Sequence, residues 1–154
     1  MTPQRLPRDI FATIVRHTPL VSIDLLVRDP QRRLLVGWRT NRPAQNTFFV
    51  PGGIVRKGER LADAFERLTE VELGVRMPLA RARFVGAYEH LYADNALGEP
   101  DFGTHYVVLA HELQAAPADL ALPPDQHSRY LWANDAELLA RDDVHENTKA
   151  YCRG

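Results

Sequence analysis

The residues best suited to chemistry lie between Gly52 and Val75, in GGIVRKGERLADAFERLTEVELGV. Wound as a helix at ~100° per residue, Leu61, Phe65 and Leu68 fall within ~40° of Glu72, and Val75 within ~60°. The spacing therefore aims the Glu72 carboxylate along the apolar stripe, whereas Asp63, Glu66 and Glu70 take the opposite, solvated side. A carboxylate on a core-facing stripe needs a partner, because burying it unpaired is costly or forces it to protonate. Two partners answer that need: an arginine from elsewhere in the chain, or a divalent cation. Pro51-Gly52-Gly53, just ahead of the helix, adds weight to the cation. Glycines let the backbone approach a ligand closely, and carbonyl and carboxylate oxygens are hard ligands suited to Mg²⁺.

Other polar residues occupy positions that could join such a site. Asp24 stands mid-strand on the same alternating face as Ser22, with Val21, Ile23 and Leu25 facing the other way. A hairpin turning at Asp29 to Arg32 brings Arg39 near it, either as an ion pair stiffening the hairpin or as a pair of site groups. Gln126 and His127 follow two prolines in a loop; taken alone, both read as surface residues. His90 and Tyr106 flank another loop and, taken alone, read as ordinary strand residues.

The elements that must position these groups are legible in outline. Leu20 to Val27 is β-rich, and Asp29-Pro30 opens a turn into Leu34 to Arg39. Phe48 to Pro51 and Ile54 to Arg56 read as short strands around a Gly-Gly break. Arg81 to Tyr92 and His105 to Leu113 form a further pair, and Arg129 to Trp132 is the last strand. Helical patterns cover Ile10 to Arg16, Leu61 to Leu73 and parts of the tail from Asp135 onward. Ala93 to Asp101 and Ala115 to Asp125 are loops rich in Pro, Gly, Asn or Asp. A mixed sheet with helices on it, class α+β, follows.

At 154 residues the chain reads as one domain over residues 1–154, with 45% hydrophobic and 25% charged residues. A net charge of −1 disfavours a nucleic-acid partner, since no basic excess exists to release counterions. A single cysteine, Cys152, excludes an internal disulfide and thiolate zinc sites. The N-terminus lacks the apolar core of a signal peptide and no apolar run reaches membrane-spanning length, so a cytoplasmic location is the expectation.

Gly53, five residues, Glu59, seven residues, Arg67, then Glu72, one residue, Gly74 and Val75 resembles the box of the Nudix superfamily, a loop-helix-loop that binds metal and diphosphate. Two positions depart from it. Leu68 stands where the superfamily has Glu directly after the arginine, and Val71 where it has the first of two adjacent glutamates. Nudix enzymes that attack phosphorus commonly assemble more than one metal from clustered carboxylates. A box reduced to Glu72 is similar to that of the GDP-mannose mannosyl hydrolases, which cleave at the sugar carbon. TPLVSID at Thr18, RTNRPAQ at Arg39, FVPGG at Phe49, DFGTHYVVL at Asp101, LPPDQH at Leu122 and DVHENTKAY at Asp143 also resemble that branch.

The resemblance implies a Nudix fold, a mixed sheet between helices, and hydrolysis of GDP-mannose or another GDP-hexose to GDP and free sugar, with inversion. One Mg²⁺ per subunit, with Mn²⁺ as an alternative, would be held by the Gly52 carbonyl, Glu72 and Gln126. His127 would be the general base, a task suited to a pKa near neutrality. Asp24 would lie near the sugar and Arg39 on the diphosphate of the departing GDP. Arg67 would orient the glycine loop or meet phosphate, or else form a helix-surface salt bridge. His90 and Tyr106 would approach the substrate, and Asn41, Arg42 and Gln45 would shape the nucleotide pocket. Close members of the branch have an arginine where this chain has Ile54, and Arg56 is the candidate to replace it. A homodimer is implied. The rival readings are a conventional Nudix pyrophosphohydrolase releasing GMP and sugar phosphate, and a non-catalytic nucleotide-sugar-binding module, which Ile54 favours.

Overall fold

A computed structural model describes residues 5–124 and 129–153. Its elements run α1 (Arg8–His17), β1 (Leu20–Arg28), β2 (Leu34–Trp38), β3 (Phe48–Phe49), β4 (Gly52–Ile54), α2 (Leu61–Leu73), β5 (Arg83–Tyr92), β6 (Thr104–Gln114), β7 (Tyr130–Ala133), α3 (Asp135–Leu139) and α4 (Glu146–Lys149). The strands make one mixed sheet in the order β3-β2-β1-β6-β5, with β4 also pairing β1 and β7 also pairing β2. β1 and β6 run parallel from Leu20 opposite Tyr106 to Arg28 opposite Gln114. The remaining pairings are antiparallel, apart from an isolated parallel bridge between Phe48 and Val144.

Alternation along β1 sends its residues to two cores. Ile23, Leu25 and Val27 pack with Ala64, Phe65, Leu68 and Leu73 of α2. Leu26, with Leu34 and Val36 of β2, packs against Leu138 of α3, Val144 and Cys152. Asp24 shares the second face, so a charged residue enters this sheet on the side covered by the C-terminal segment. The layers are helix, sheet, helix, as the α+β expectation requires.

α2 spans the residues that periodicity predicts and ends at Gly74, whose φ of 75° favours glycine; a Cβ there would run into the Ala121 carbonyl. Two local expectations need correction. Leu61, the first residue of α2, is exposed, and Thr69 takes a place on the buried face. The Gly-Gly pair is not a break between strands; it begins β4 and pairs with Asp24 and Ile23. Extended glycines form ladder hydrogen bonds as other residues do; a Cβ on Gly52 would meet the Ile23 carbonyl of β1, and one on Gly53 would meet the Leu68 side chain of α2.

Candidate active site

β4 is held to β1 by hydrogen bonds from the Leu25 N–H to the Pro51 carbonyl and from the Val55 N–H to the Val21 carbonyl, both 2.8 Å. Antiparallel alternation then turns the N–H and carbonyl of Gly52 and Ile54 away from β1, onto the free edge. Two residues of α2 meet that edge. The Ile54 carbonyl accepts a 2.8 Å hydrogen bond from Arg67 Nη2. Arg67 also grips Glu59 with both nitrogens, at 2.7 and 2.9 Å, and Glu59 Oε1 accepts the Arg56 N–H at 3.0 Å. Arg67 thus ties α2 to β4 and to the loop between them, and does not line the cleft.

Glu72 meets the same edge one turn further on. The Gly52 backbone donates to its carboxylate, while Glu72 Oε2 is buried with no hydrogen-bond partner among the described residues. Burial pushes this carboxyl up to about 7, against the Gly52 hydrogen bond and the charge of Arg39. An orphaned carboxylate oxygen beside a backbone carbonyl on a free strand edge suits a hard divalent cation. Leu68, where a second carboxylate would stand, is 3% exposed, and a Cβ on Gly53 would lie 2.5 Å from its Cδ2. Val71 points to solvent. Glu72 is therefore the one carboxylate that α2 turns toward the glycine strand.

On the other side of Gly52 opens a cleft of about 90 Å³, lined by Ser22, Asp24, Arg39, Phe49, His90 and Tyr106 among others. A Cβ on Gly52 would collide with the Ile23 carbonyl and come within 2.8 Å of Asp24 Oδ1, so only glycine lets strand and carboxylate approach. Asp24 is 6% exposed and accepts a 2.6 Å hydrogen bond on Oδ2 from the Tyr151 hydroxyl. Burial raises its carboxyl to about 7, opposed by the Tyr151 hydrogen bond and by Arg39. Arg39 donates from Nε to the Pro43 carbonyl at 3.0 Å, and its charge acts on both Asp24 and Glu72. The hairpin does bring Asp24 and Arg39 together, as cleft neighbours and not as a direct ion pair.

The far wall is aromatic. His90 is 4% exposed, with Nε2 unpartnered among the described residues, and burial with the nearby His145 lowers its pKa to about 4. It is a neutral imidazole at physiological pH. Burial raises the Tyr92 and Tyr106 phenols. His145 stacks between Phe49 and Tyr92, with ring centroids at 5.4 and 5.5 Å, and its Nδ1 accepts the Asn147 N–H at 3.0 Å.

Of the residues singled out from sequence, Asp24, Arg39, Gly52, His90 and Tyr106 converge on the cleft, with Glu72 behind Gly52. Asn41, Arg42 and Gln45 are exposed and do not line it; Pro43 is that loop's contribution. Ile54 lines the cleft and Arg56 does not. Gln126 and His127 lie outside the described residues. Sequence reasoning did not single out Tyr92, which lines the cleft, or His145 and Tyr151, which pack behind it; the likeness of the tail segment from Asp143 to Tyr151 is the signal that could have found the last two.

A family model described as the NUDIX domain matches residues 18–153. The chain is 38% identical over 125 residues to the low-salt glycan biosynthesis protein Agl8 of Haloferax volcanii, covering 81% of this chain and 77% of that one. The MutT protein of Methanosarcina mazei superposes with a TM-score of 0.68 at 17% identity, over 88% of this chain and 92% of that one. The NUDIX domain of Shewanella oneidensis NrtR, solved in complex with ADP ribose, does so with a TM-score of 0.64 at 14% identity, over 96% and 95%. The glycine-strand edge, the Arg67–Glu59 clasp and these matches together make the chain a member of the Nudix hydrolase family.

Proposed function

We propose that this Nudix hydrolase cleaves a GDP-hexose, GDP-mannose first, to GDP and free sugar by attack of water at the anomeric carbon. The observation that carries the reading is Leu68. Its side chain is core, packed on Gly53, so the helix offers the glycine strand a single carboxylate. One carboxylate with a backbone carbonyl suits one metal, which supports departure of a diphosphate better than attack on phosphorus. The Haloferax relative is named for glycan biosynthesis, and the NrtR domain was solved with ADP ribose; both agree with a sugar-bearing nucleotide as ligand.

The Gly52 carbonyl and Glu72 would hold Mg²⁺, with Gln126 as third ligand and Mn²⁺ as an alternative ion. When bound, the metal would neutralise charge on the GDP leaving group. Arg39 meets the diphosphate from the cleft wall. Asp24 and neutral His90 receive the sugar hydroxyls, Tyr106 closes the wall beside them, and His127 takes the proton of the attacking water. Attack opposite GDP inverts the anomeric carbon. No helix among the described residues is long and apolar enough to cross a membrane. A cytoplasmic homodimer, implied by the resemblance, belongs to the same proposal.

Proton and phosphorus NMR of GDP-mannose with the protein and Mg²⁺ tests the reading. GDP and β-mannose appearing first support it. GMP with mannose 1-phosphate would establish the pyrophosphohydrolase and overturn it. Tight binding without turnover would establish the binding module, for which Ile54 in the cleft lining speaks.

A further inference from the structure

The C-terminal segment is tied to the site by more than packing. The Phe48 N–H donates to the Asp143 carbonyl at 2.7 Å, the His145 N–H to the Phe48 carbonyl at 3.1 Å, and the Val50 N–H to Thr148 Oγ1 at 3.2 Å. These bonds lay residues 143–148 along the strand that leads into Pro51 and Gly52. The turn that follows then delivers Tyr151 beneath β1. Its ring stands edge-on to Tyr88, with centroids 4.8 Å apart, and near His90 at 6.3 Å, so aromatic neighbours fix its direction. Its hydroxyl ends 2.6 Å from Asp24 Oδ2.

An aspartate on a strand has two rotatable bonds and two equivalent oxygens, so its carboxylate has no fixed orientation unless something holds one oxygen. Here one oxygen bonds the tyrosine, and the other lies 2.8 Å from where a Cβ on Gly52 would stand, on the glycine's open side. We propose that Tyr151 is a positioning residue: by occupying Asp24 Oδ2 it presents Oδ1 to the cleft as a single oriented acceptor for a substrate hydroxyl. The inference rests on the placement of Asp24 at the sugar given above. It assigns a task to the C-terminal segment that the Nudix box does not contain. Tyr151 touches no reacting atom; it acts through Asp24.

A double-mutant cycle tests this without relying on folding alone. Tyr151→Phe keeps the ring and removes the hydroxyl. A hydrogen bond to a charged group corresponds to about ten- to hundredfold. Turnover of GDP-mannose is therefore expected to fall by that factor, with GDP affinity within twofold of wild type. In an Asp24→Ala background the same substitution is expected to change turnover by less than twofold, because nothing remains to be positioned. Equal losses in both backgrounds, or wild-type turnover in Tyr151→Phe, would overturn the proposal. Calorimetry supplies a readout separate from catalysis, the affinity for GDP-mannose relative to GDP. If the wild type binds GDP-mannose more tightly than GDP but releases no GDP, the hydrolase reading fails alone. The positioning role then stands only if Tyr151→Phe removes that sugar increment. A wild type with no sugar increment overturns it.

Discussion

Replacing Arg67 by alanine is the most direct probe of what holds the site's scaffold. The guanidinium makes three hydrogen bonds, of 2.7, 2.9 and 2.8 Å, to both oxygens of Glu59 and to the Ile54 carbonyl. The Glu59 side chain is 3% exposed and that of Arg67 19%. Breaking one partner of a buried pair costs ~3–5 kcal/mol, because the other charge is left uncompensated. Glu59 keeps the Arg56 N–H, so the lower end applies, about 3 kcal/mol. In a domain of this size that corresponds to a melting temperature lower by roughly 6–12 °C. Urea denaturation would show the midpoint fall with unchanged slope. Adding Glu59→Gln to Arg67→Ala removes the stranded charge and is expected to return part of the loss.

The same clasp fixes the sign of a pH effect. The Arg67 hydrogen bond, joined by the Arg56 N–H and both positive charges, holds the Glu59 carboxyl below its ordinary value. Stability from that pair is present above the unfolded pKa of ~4.3 and is lost as pH falls through the lower folded value. The gap between wild type and Arg67→Ala should therefore close on acidification below pH ~4. A loss under ~1 kcal/mol at pH 7, or a gap that widens in acid, would refute the reasoning.

Other substitutions probe the cleft. Glu72→Gln should leave urea stability unchanged or higher, since it removes a desolvated carboxylate, yet lower Mg²⁺-dependent turnover by at least ~100-fold; preserved turnover would remove Glu72 from the metal site. Gly52→Ala should cost about 1–3 kcal/mol in urea, because its Cβ meets the backbone of Ile23, and a neutral result would mean that β4 yields easily. His90, lowered to about 4 when folded against ~6.5 unfolded, binds its proton more readily in the unfolded chain. Stability should decline as pH falls from ~6.5 toward 4, and His90→Asn should reduce that slope; an identical acid profile counts against it. Arg56→Ala should weaken turnover if Arg56 serves the diphosphate in place of the residue at Ile54, and unchanged kinetics would exclude it.

The helix that carries Glu72 was legible because two signals agree: periodic apolar residues and a carboxylate out of pattern. The strands from Leu20 to Trp38 and Arg83 to Gln114 were legible from their β-branched runs and the turn residues between them. What failed was local detail and distant convergence. An angular projection treats every helical turn as equally covered, so Leu61 was drawn inward although the first turn of α2 leaves it exposed. A Gly-Gly pair has no side chains to alternate, which hid β4. Tyr92 lines the cleft, while Tyr151 and His145 stand behind it on Asp24 of β1 and Phe49 of β3, and no periodicity within their own segments records that. The tail's likeness to the branch was the only trace of it.

The parallel pairing of β1 with β6 also bears on how the molecule assembles. Unlike a hairpin, it cannot zip from a turn, since Leu20 must find Tyr106 across most of the intervening chain. Closing that span costs chain entropy before any contact repays it, so this step is expected to limit the folding rate. Asp24 belongs to β1 and Tyr106 to β6, and Tyr151 arrives from still further along the chain. The cleft is therefore among the last features to form. Before β1 and β6 pair, Asp24 and Tyr106 are not brought together and the cleft does not exist.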